Sequence, residues 1–240
     1  MLDIHSHILP GVDDGAKNSD EAFRILCEMQ RQGITDVIAT PHFYPDSDSY
    51  DSYFGRIIPA YQSFKAEYTE KLSAGEKLPN IYIGSEVLYF RGILSSERIN
   101  DFTLNNSRYL LLELTDGAVD EKLFEELYIL KNERGITPII AHTERYHKAK
   151  GYKKLLKFIE SEDIPAQINA SSLFIKGLAK PAEKLVQHNL AAFIATDAHS
   201  PEKRPPMMFS ALELIARKFG EQYKQRLINN SERLLKEILI

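Results

Sequence analysis

The sequence predicts an α/β fold in which short parallel strands alternate with amphipathic helices. Three observations support this. Short, apolar, β-rich runs recur along the chain, helix-period stripes fill the gaps between them, and the length of 240 residues suits one β/α barrel.

The expected strands cover residues 2–7, 36–42, 81–87, 109–115, 137–143, 165–170 and 191–199. Most are apolar without alternation, as strands covered on both faces should be. The first helix is expected to start at Ser19 as N-cap, with Asp20 and Glu21 favourable in its first turn. Ala22, Ile25, Leu26 and Met29 form its apolar stripe, and Gly33 ends it. Leu123, Leu127 and Leu130 mark another helix, closed by Gly135, and Leu155, Leu156 and Ile159 mark a third. The tail carries two more, over 212–219 and 227–238. Residues 43–53 are polar and turn-rich and are expected to form a loop. Neither a repeat nor a long linker is evident, so 1–240 is expected to be a single domain.

Composition narrows the function. The net charge is −4, which argues against a general nucleic-acid binder. No apolar run reaches the ~18 residues of a membrane helix. Two histidines stand where a signal peptide needs its apolar core, and a single cysteine, Cys27, allows no internal disulfide. A cytoplasmic protein without stable membrane insertion is expected.

The imidazoles and carboxylates are not scattered. His5 and His7 end strand one, His42 strand two, Glu86 strand three, Glu113 strand four and His142 strand five, while Asp197 and His199 end strand seven. Asp13 and Asp14 follow strand one in a turn. Six of the seven expected strands thus deliver a metal-type ligand at the C-terminal end, where a β/α barrel carries its active site. Each residue alone has an ordinary structural role: a hydrogen-bonded strand-end histidine, a salt-bridged glutamate, an Asx turn at Asp14 or a helix cap at Asp197. Together they would be severely destabilising without cations.

Imidazole with carboxylate and no thiolate suits Mn²⁺, Fe²⁺ or Zn²⁺. Nine ligands exceed one coordination sphere, so two or three ions are implied. Three divalent ions with Asp14, Glu86, Glu113 and Asp197 leave a formal charge of about +2, which favours a phosphate dianion. Arg145, three residues after His142, and Arg204, five after His199, are placed to bind that phosphate. His188 reads as a surface residue, His147 as a weak candidate for substrate contact, and Cys27 as packing. Cys27 is no nucleophile of the Cys-x5-Arg type, since the sixth residue after it is Gly33.

HSH near the start, TPH, GSE, LLEL, AHTER and TDAH together resemble the PHP (polymerase and histidinol phosphatase) superfamily. HSHILPGVDDG, INDFTLNNSRYLLLEL, TPIIAHTERY, QINASS and DAHSPEKRPP are similar to its branch of bacterial manganese-dependent protein-tyrosine phosphatases from capsule and exopolysaccharide operons. The resemblance implies a distorted (β/α)7 barrel of the PHP type with three divalent ions, Mn²⁺ foremost. It implies that His5, His7, Glu86 and Asp197 hold one ion. Glu86 would bridge to a second, held also by Glu113 and His142, and Asp14, His42 and His199 would hold the third. Many PHP relatives have histidine where this chain has Asp14 and Glu113, a departure shared by the capsule branch.

The expected chemistry is direct hydrolysis of phosphotyrosine by water acidified between two ions, with Arg145 and Arg204 neutralising the phosphate. The substrate that the resemblance implies is the tyrosine-rich tail of a bacterial capsule-assembly kinase. A small-molecule phosphatase acting on a compound such as histidinol phosphate is the near alternative, and a non-catalytic metal-binding module the distant one.

Overall fold

In a computed structural model the chain is described over residues 1–239. It has nine strands and seven α-helices among the described residues, in a mixed α/β arrangement with every ladder parallel. In chain order these are β1 (Leu2–Ser6), α1 (Ser19–Arg31), β2 (Asp36–Ala39), β3 (His42–Phe43), α2 (Tyr50–Ser73), β4 (Asn80–Ile83), β5 (Glu86–Leu88) and β6 (Tyr109–Glu113). There follow α3 (Glu121–Asn132), β7 (Thr137–Ile140), α4 (Tyr152–Ser161), β8 (Ala166–Asn169), α5 (Ala179–Gln187), β9 (Ala191–Ala195), α6 (Met208–Phe219) and α7 (Glu221–Ile238).

Two parallel sheets result, ordered β1-β2-β4 and β3-β5-β6-β7-β8-β9. Strands two and three of the sequence expectation are each broken into two pieces, at Thr40–Pro41 and at Gly84–Ser85. Pro41 has no N–H to give to a ladder. At Gly84 a Cβ would meet Leu104 Cδ2 at 2.7 Å, so only glycine lets the chain bend there against Leu104. The end of β9 is joined to β1 by two backbone bonds, Asp197 N to His5 O and His7 N to Ala198 O, both 2.9 Å.

The strands are buried on both faces, as their apolar runs require. One core set draws on Leu2, Ile4, Ile38, Leu111, Ile139 and Phe193 from the strands and is closed by Leu234 and Ile238 of α7. The larger set packs the helical stripes against the outer face of the sheets, with Ile25, Leu26 and Met29 of α1 and Leu123, Leu127 and Leu130 of α3 fully buried.

Several boundaries differ from the sequence expectation. The N-cap of α1 is Asn18, whose Oδ1 accepts from Glu21 N at 3.0 Å, and Ser19 is the first helical residue. The expected loop 43–53 is shorter, because Ser49 and Ser52 cap α2 reciprocally: Ser52 N donates to Ser49 Oγ, and Ser49 N to Ser52 Oγ. The 24-residue α2 was hidden by its polar start and by Pro59, yet Tyr53, Ile57, Phe64 and Tyr68 form its buried stripe. No helix among the described residues is long and apolar enough to cross a membrane.

Candidate metal centre

The nine residues singled out as ligands converge at the C-terminal ends of the strands. Several sit just beyond the strands rather than on them. His142 follows β7 with φ 31°, and Asp197 follows β9 with φ 50°, both in the left-handed region. Such backbones are sparsely populated except by glycine and by short polar residues, and they turn a side chain off the ladder into the site.

Glu86, 1% exposed, is central. Its Oε2 lies 3.1 Å from His5 Nε2, 3.2 Å from His7 Nε2 and 3.1 Å from His42 Nδ1, and its Oε1 lies 2.9 Å from His142 Nε2. Glu113 Oε1 approaches His142 Nε2 at 3.6 Å. On the other flank Asp14 Oδ1 lies 3.5 Å from His42 Nε2 and 3.3 Å from His199 Nε2. Three sets of potential ligand atoms lie within 4.8 Å of one another: those of His5, His7 and Glu86; of His42, Glu86 and Glu113; and of His7, Asp14, His42 and His199.

The hydrogen bonds of the histidines fix which ring nitrogens face the centre. His5 Nδ1 faces Gln167 Oε1 at 3.3 Å, His7 Nδ1 faces Asp13 Oδ2 at 2.8 Å, and His199 Nδ1 faces the carbonyl of Asp197 at 2.9 Å. Those oxygens only accept, so each Nδ1 carries hydrogen and each Nε2 is turned inward. His5 Nε2 and His7 Nε2 then stand 3.2 Å apart, both against Glu86 Oε2 and Asp197 Oδ1. Glu86 Oε2, His42 Nδ1 and His199 Nε2 are buried without an aligned hydrogen-bond partner, despite their close approaches to one another. Unaligned, converging, buried donor atoms of this kind fit divalent cations.

The electrostatics divide the cluster. Burial opposes charge on His5, but Glu86 and Asp197 outweigh it and raise its pKa, while burial lowers His42 and His142 and brings His199 down to about 3. Burial also opposes charge on Glu86 and Asp197, yet the neighbouring histidines hold both carboxylates well below their usual range. The anions are thus retained, and His42, His142 and His199 favour the neutral form that binds metal. Against the effect of burial, the same carboxylates raise His5, and together with Asp13 they raise His7 further, toward the charged form. Glu113 is pushed up to about 7, chiefly by burial and then by the charge of Glu86.

Asp197 divides its carboxylate between two tasks. Its Oδ1 lies 3.4 Å from His5, His7 and His199 nitrogens. Its Oδ2 accepts from Arg145 Nη2 and Arg204 Nη2, both at 2.7 Å, and from Asn169 Nδ2 at 2.6 Å. Both arginines are therefore brought to the cluster, as their sequence positions suggested, and both remain over a third exposed.

Supporting residues escaped the sequence-based ligand set. Asp13 orients His7 and accepts from the backbone of His42 and Gly15, and its pKa falls to about 2 because these bonds outweigh burial. Strand six, which seemed to contribute nothing, supplies Gln167 and Asn169 from one face of β8. Gln167 Oε1 accepts from His142 N at 2.7 Å, and Gln167 Nε2 donates to Asn169 Oδ1 at 2.8 Å. Two amides at alternate positions in an apolar strand were the available signal. Tyr44, 38% exposed, stacks on His42 with ring centroids 4.8 Å apart and presents a flat aromatic face beside the cluster. His147 is not in the cluster; its Nδ1 lies 3.0 Å from the Glu144 carbonyl. His188 is exposed, as expected.

Glu144 itself is buried, with Oε1 accepting from Ser172 Oγ and Asn169 N and with Oε2 unpartnered. Burial pushes its pKa up to about 7 from 4.5. A raised carboxyl stabilises the fold fully below the unfolded pKa, and that contribution is lost as pH rises through about 7. In chelator-treated protein, Glu144→Gln should gain stability over the parent by roughly 3 kcal/mol between pH 5 and pH 8. Urea midpoints at the two pH values check this, and a constant difference would mean that Glu144 is ionised throughout.

The family model for capsular polysaccharide synthesis proteins, CpsB/CapC, matches residues 1–236. The chain belongs to this CpsB/CapC family. It is 30% identical to the tyrosine-protein phosphatase CpsB of Streptococcus agalactiae serotype III, with 98% of each chain covered. It is 31% identical to the tyrosine-protein phosphatase YwqE of Bacillus subtilis, over 98% of this chain and 92% of that one. A crystal structure from work on YwqE of Bacillus subtilis and CpsB of Streptococcus pneumoniae, described as metal-dependent tyrosine phosphatases, has a TM-score of 0.85 at 28% identity, covering 99% of this chain and 95% of that one. A histidinol phosphate phosphatase of Lactococcus lactis has a TM-score of 0.58 at 15% identity, over 90% and 92% of the two chains, which bears on the fold alone. The CpsB/CapC family thus includes chains of the parallel α/β architecture seen here.

Proposed function

We propose that the chain is a metal-dependent protein-tyrosine phosphatase that acts in the cytoplasm as a single domain. The observation that carries this is Asp197, whose two oxygens join the histidine–carboxylate cluster to a pair of arginines. His5, His7, Glu86 and Asp197 would hold one ion, Glu86, Glu113 and His142 a second, and Asp14, His42 and His199 a third, with Mn²⁺ the first choice by ligand type. Divalent ions at such positions neutralise phosphate charge and lower the pKa of water toward about 7.

The chain's own residues supply binding and orientation. Arg145 and Arg204 converge on one point beside the cluster and give a phosphate planar, paired donors. Asp13, Gln167 and Asn169 fix the rings and the carboxylate behind them. Tyr44 offers its face to the phenyl ring of phosphotyrosine. Phenolate leaves with a conjugate pKa of about 10, so an aryl ester needs little protonation on departure. The substrate that fits the family is a phosphotyrosine protein, in particular a bacterial tyrosine kinase tail.

The test compares a phosphotyrosyl peptide with L-histidinol phosphate on one Mn²⁺-loaded preparation. The peptide should have the higher kcat/KM; the reverse order would replace this proposal with a small-molecule phosphatase, and hydrolysis of neither would leave a metal-binding module. Arg204→Ala should lower kcat/KM by roughly 10²–10³ without lowering metal content, the usual cost of one transition-state donor. Unchanged kinetics would remove Arg204 from the site.

A further inference from the structure

A second recess lies outside the cluster, between α4 and α5. It is a cavity of about 380 Å³, within the size range of small ligand sites. Leu156, Leu185 and Leu190 form its apolar floor together with Tyr152 and Pro181. Lys153, Lys180 and Lys184 stand at its edge with His147, and no carboxylate lines it. All three lysines are exposed, and none makes an ion pair among the described residues. Their neighbours behave differently: Lys154 pairs with Glu121, and Glu183 is taken up by Lys218 at 2.5 Å. Residues 147–157 contain five lysines and no acid, although the chain as a whole has a net charge of −4.

A scattered surface lysine is ordinarily just solvated. Three unpaired lysines around one apolar recess instead concentrate a positive field over a concave apolar surface. The matching ligand is anionic with an apolar group to bury. Concavity favours a peptide side chain over a lipid surface, which is gripped by apolar groups that protrude. Position relates the recess to the metal centre. The turn Thr143–Lys148 carries Arg145 into the cluster and, two residues later, His147 into the recess. Two residues span at most about 7 Å of backbone, so the two places lie on one stretch of surface.

We propose that this lysine-rimmed recess is a docking subsite for an acidic peptide segment of the phosphorylated protein substrate, seating one apolar side chain against Leu156 and Leu185. The owner of the segment rests on the phosphotyrosine-protein proposal above; the binding itself does not.

The experiment uses the full chain and its Lys153→Ala/Lys180→Ala/Lys184→Ala variant. Fluorescence anisotropy measures binding of an unphosphorylated peptide with acidic residues around one phenylalanine. Binding should weaken about tenfold in the variant, as three surface charges would give. KM for a phosphotyrosyl peptide with the same acidic flank should rise similarly, while hydrolysis of p-nitrophenyl phosphate stays unchanged. Equal anisotropy titrations for the two proteins would overturn the proposal. So would peptide binding by neither protein alongside charge-dependent binding to phosphatidylserine vesicles, which would assign the patch to a membrane. Loss of peptide binding in the variant, with no phosphotyrosine hydrolysis by the parent, would leave the subsite standing and remove the phosphatase proposal.

Discussion

Replacing Glu86 by alanine is expected to lower kcat/KM for a phosphotyrosyl peptide by at least about a thousandfold, roughly 4 kcal/mol of barrier. The size follows from position. One buried carboxylate touches His5, His7, His42 and His142, so it belongs to two of the three sets of ligand atoms that the cluster offers. Without it His42 and His142 lose their closest anion, and the inward nitrogens of His5 and His7 keep only Asp197. Bound metal, measured by mass spectrometry after loading, should fall by at least one ion per chain. Glu86→Gln, which keeps the volume and removes the charge, should be nearly as inactive. Full metal content and normal turnover in either variant would show that the cluster is misassigned.

Gly15→Ala should damage the same site from outside it. A Cβ at Gly15 would meet the carbonyl oxygen of His7 at 2.1 Å and the Cβ of His7 at 2.5 Å, contacts with rigid atoms that cannot swing away. The turn is pinned there, because Ala16 N donates to His7 O at 2.9 Å and Gly15 N to Asp13 Oδ1 at 2.9 Å. Alanine forces the turn off β1 and takes Asp13 from His7 and Asp14 from His42 and His199. The expected costs are about 1–3 kcal/mol of stability, typical of overpacking, and loss of the ion nearest Asp14. Denaturant midpoints and metal stoichiometry measure both. Gly55→Ala is the control: it is helical, exposed and without a neighbour within 4 Å of the added Cβ, so it should be neutral or slightly stabilising. A Gly15→Ala protein that matches this control would mean that the turn has room the structure does not show.

Much of this site could be read from the sequence because parallel strands end on one side. A His, Asp or Glu at the close of an apolar run therefore lands with the others, and His5, Glu86 and His142 needed no more than that. The proposed ion-binding set was legible as residue types, but not the way its members are held. The left-handed backbones at His142 and Asp197 leave no mark in composition, and Asp13, Gln167 and Asn169 act through hydrogen bonds that only the fold creates. Helix α2 was obscured because Ser49 and Ser52, which read as turn residues, serve as a reciprocal cap. The breaks at Pro41 and Gly84 were visible as residues but not as breaks, since Leu104, against which Gly84 closes, lies twenty positions away.

The junction between β9 and β1 has a consequence for synthesis. His5 and His7 emerge from the ribosome some 190 residues before their backbone partners Asp197 and Ala198. The two histidines must wait through that stretch of translation before Asp197 can complete their surroundings. A contact of that sequence separation is slow to form, because a long loop must close before anything rewards it. The cluster accordingly cannot close until residue 197 has been made, and a nascent chain interrupted before it would carry the early histidines without the carboxylate that ties them to the arginines.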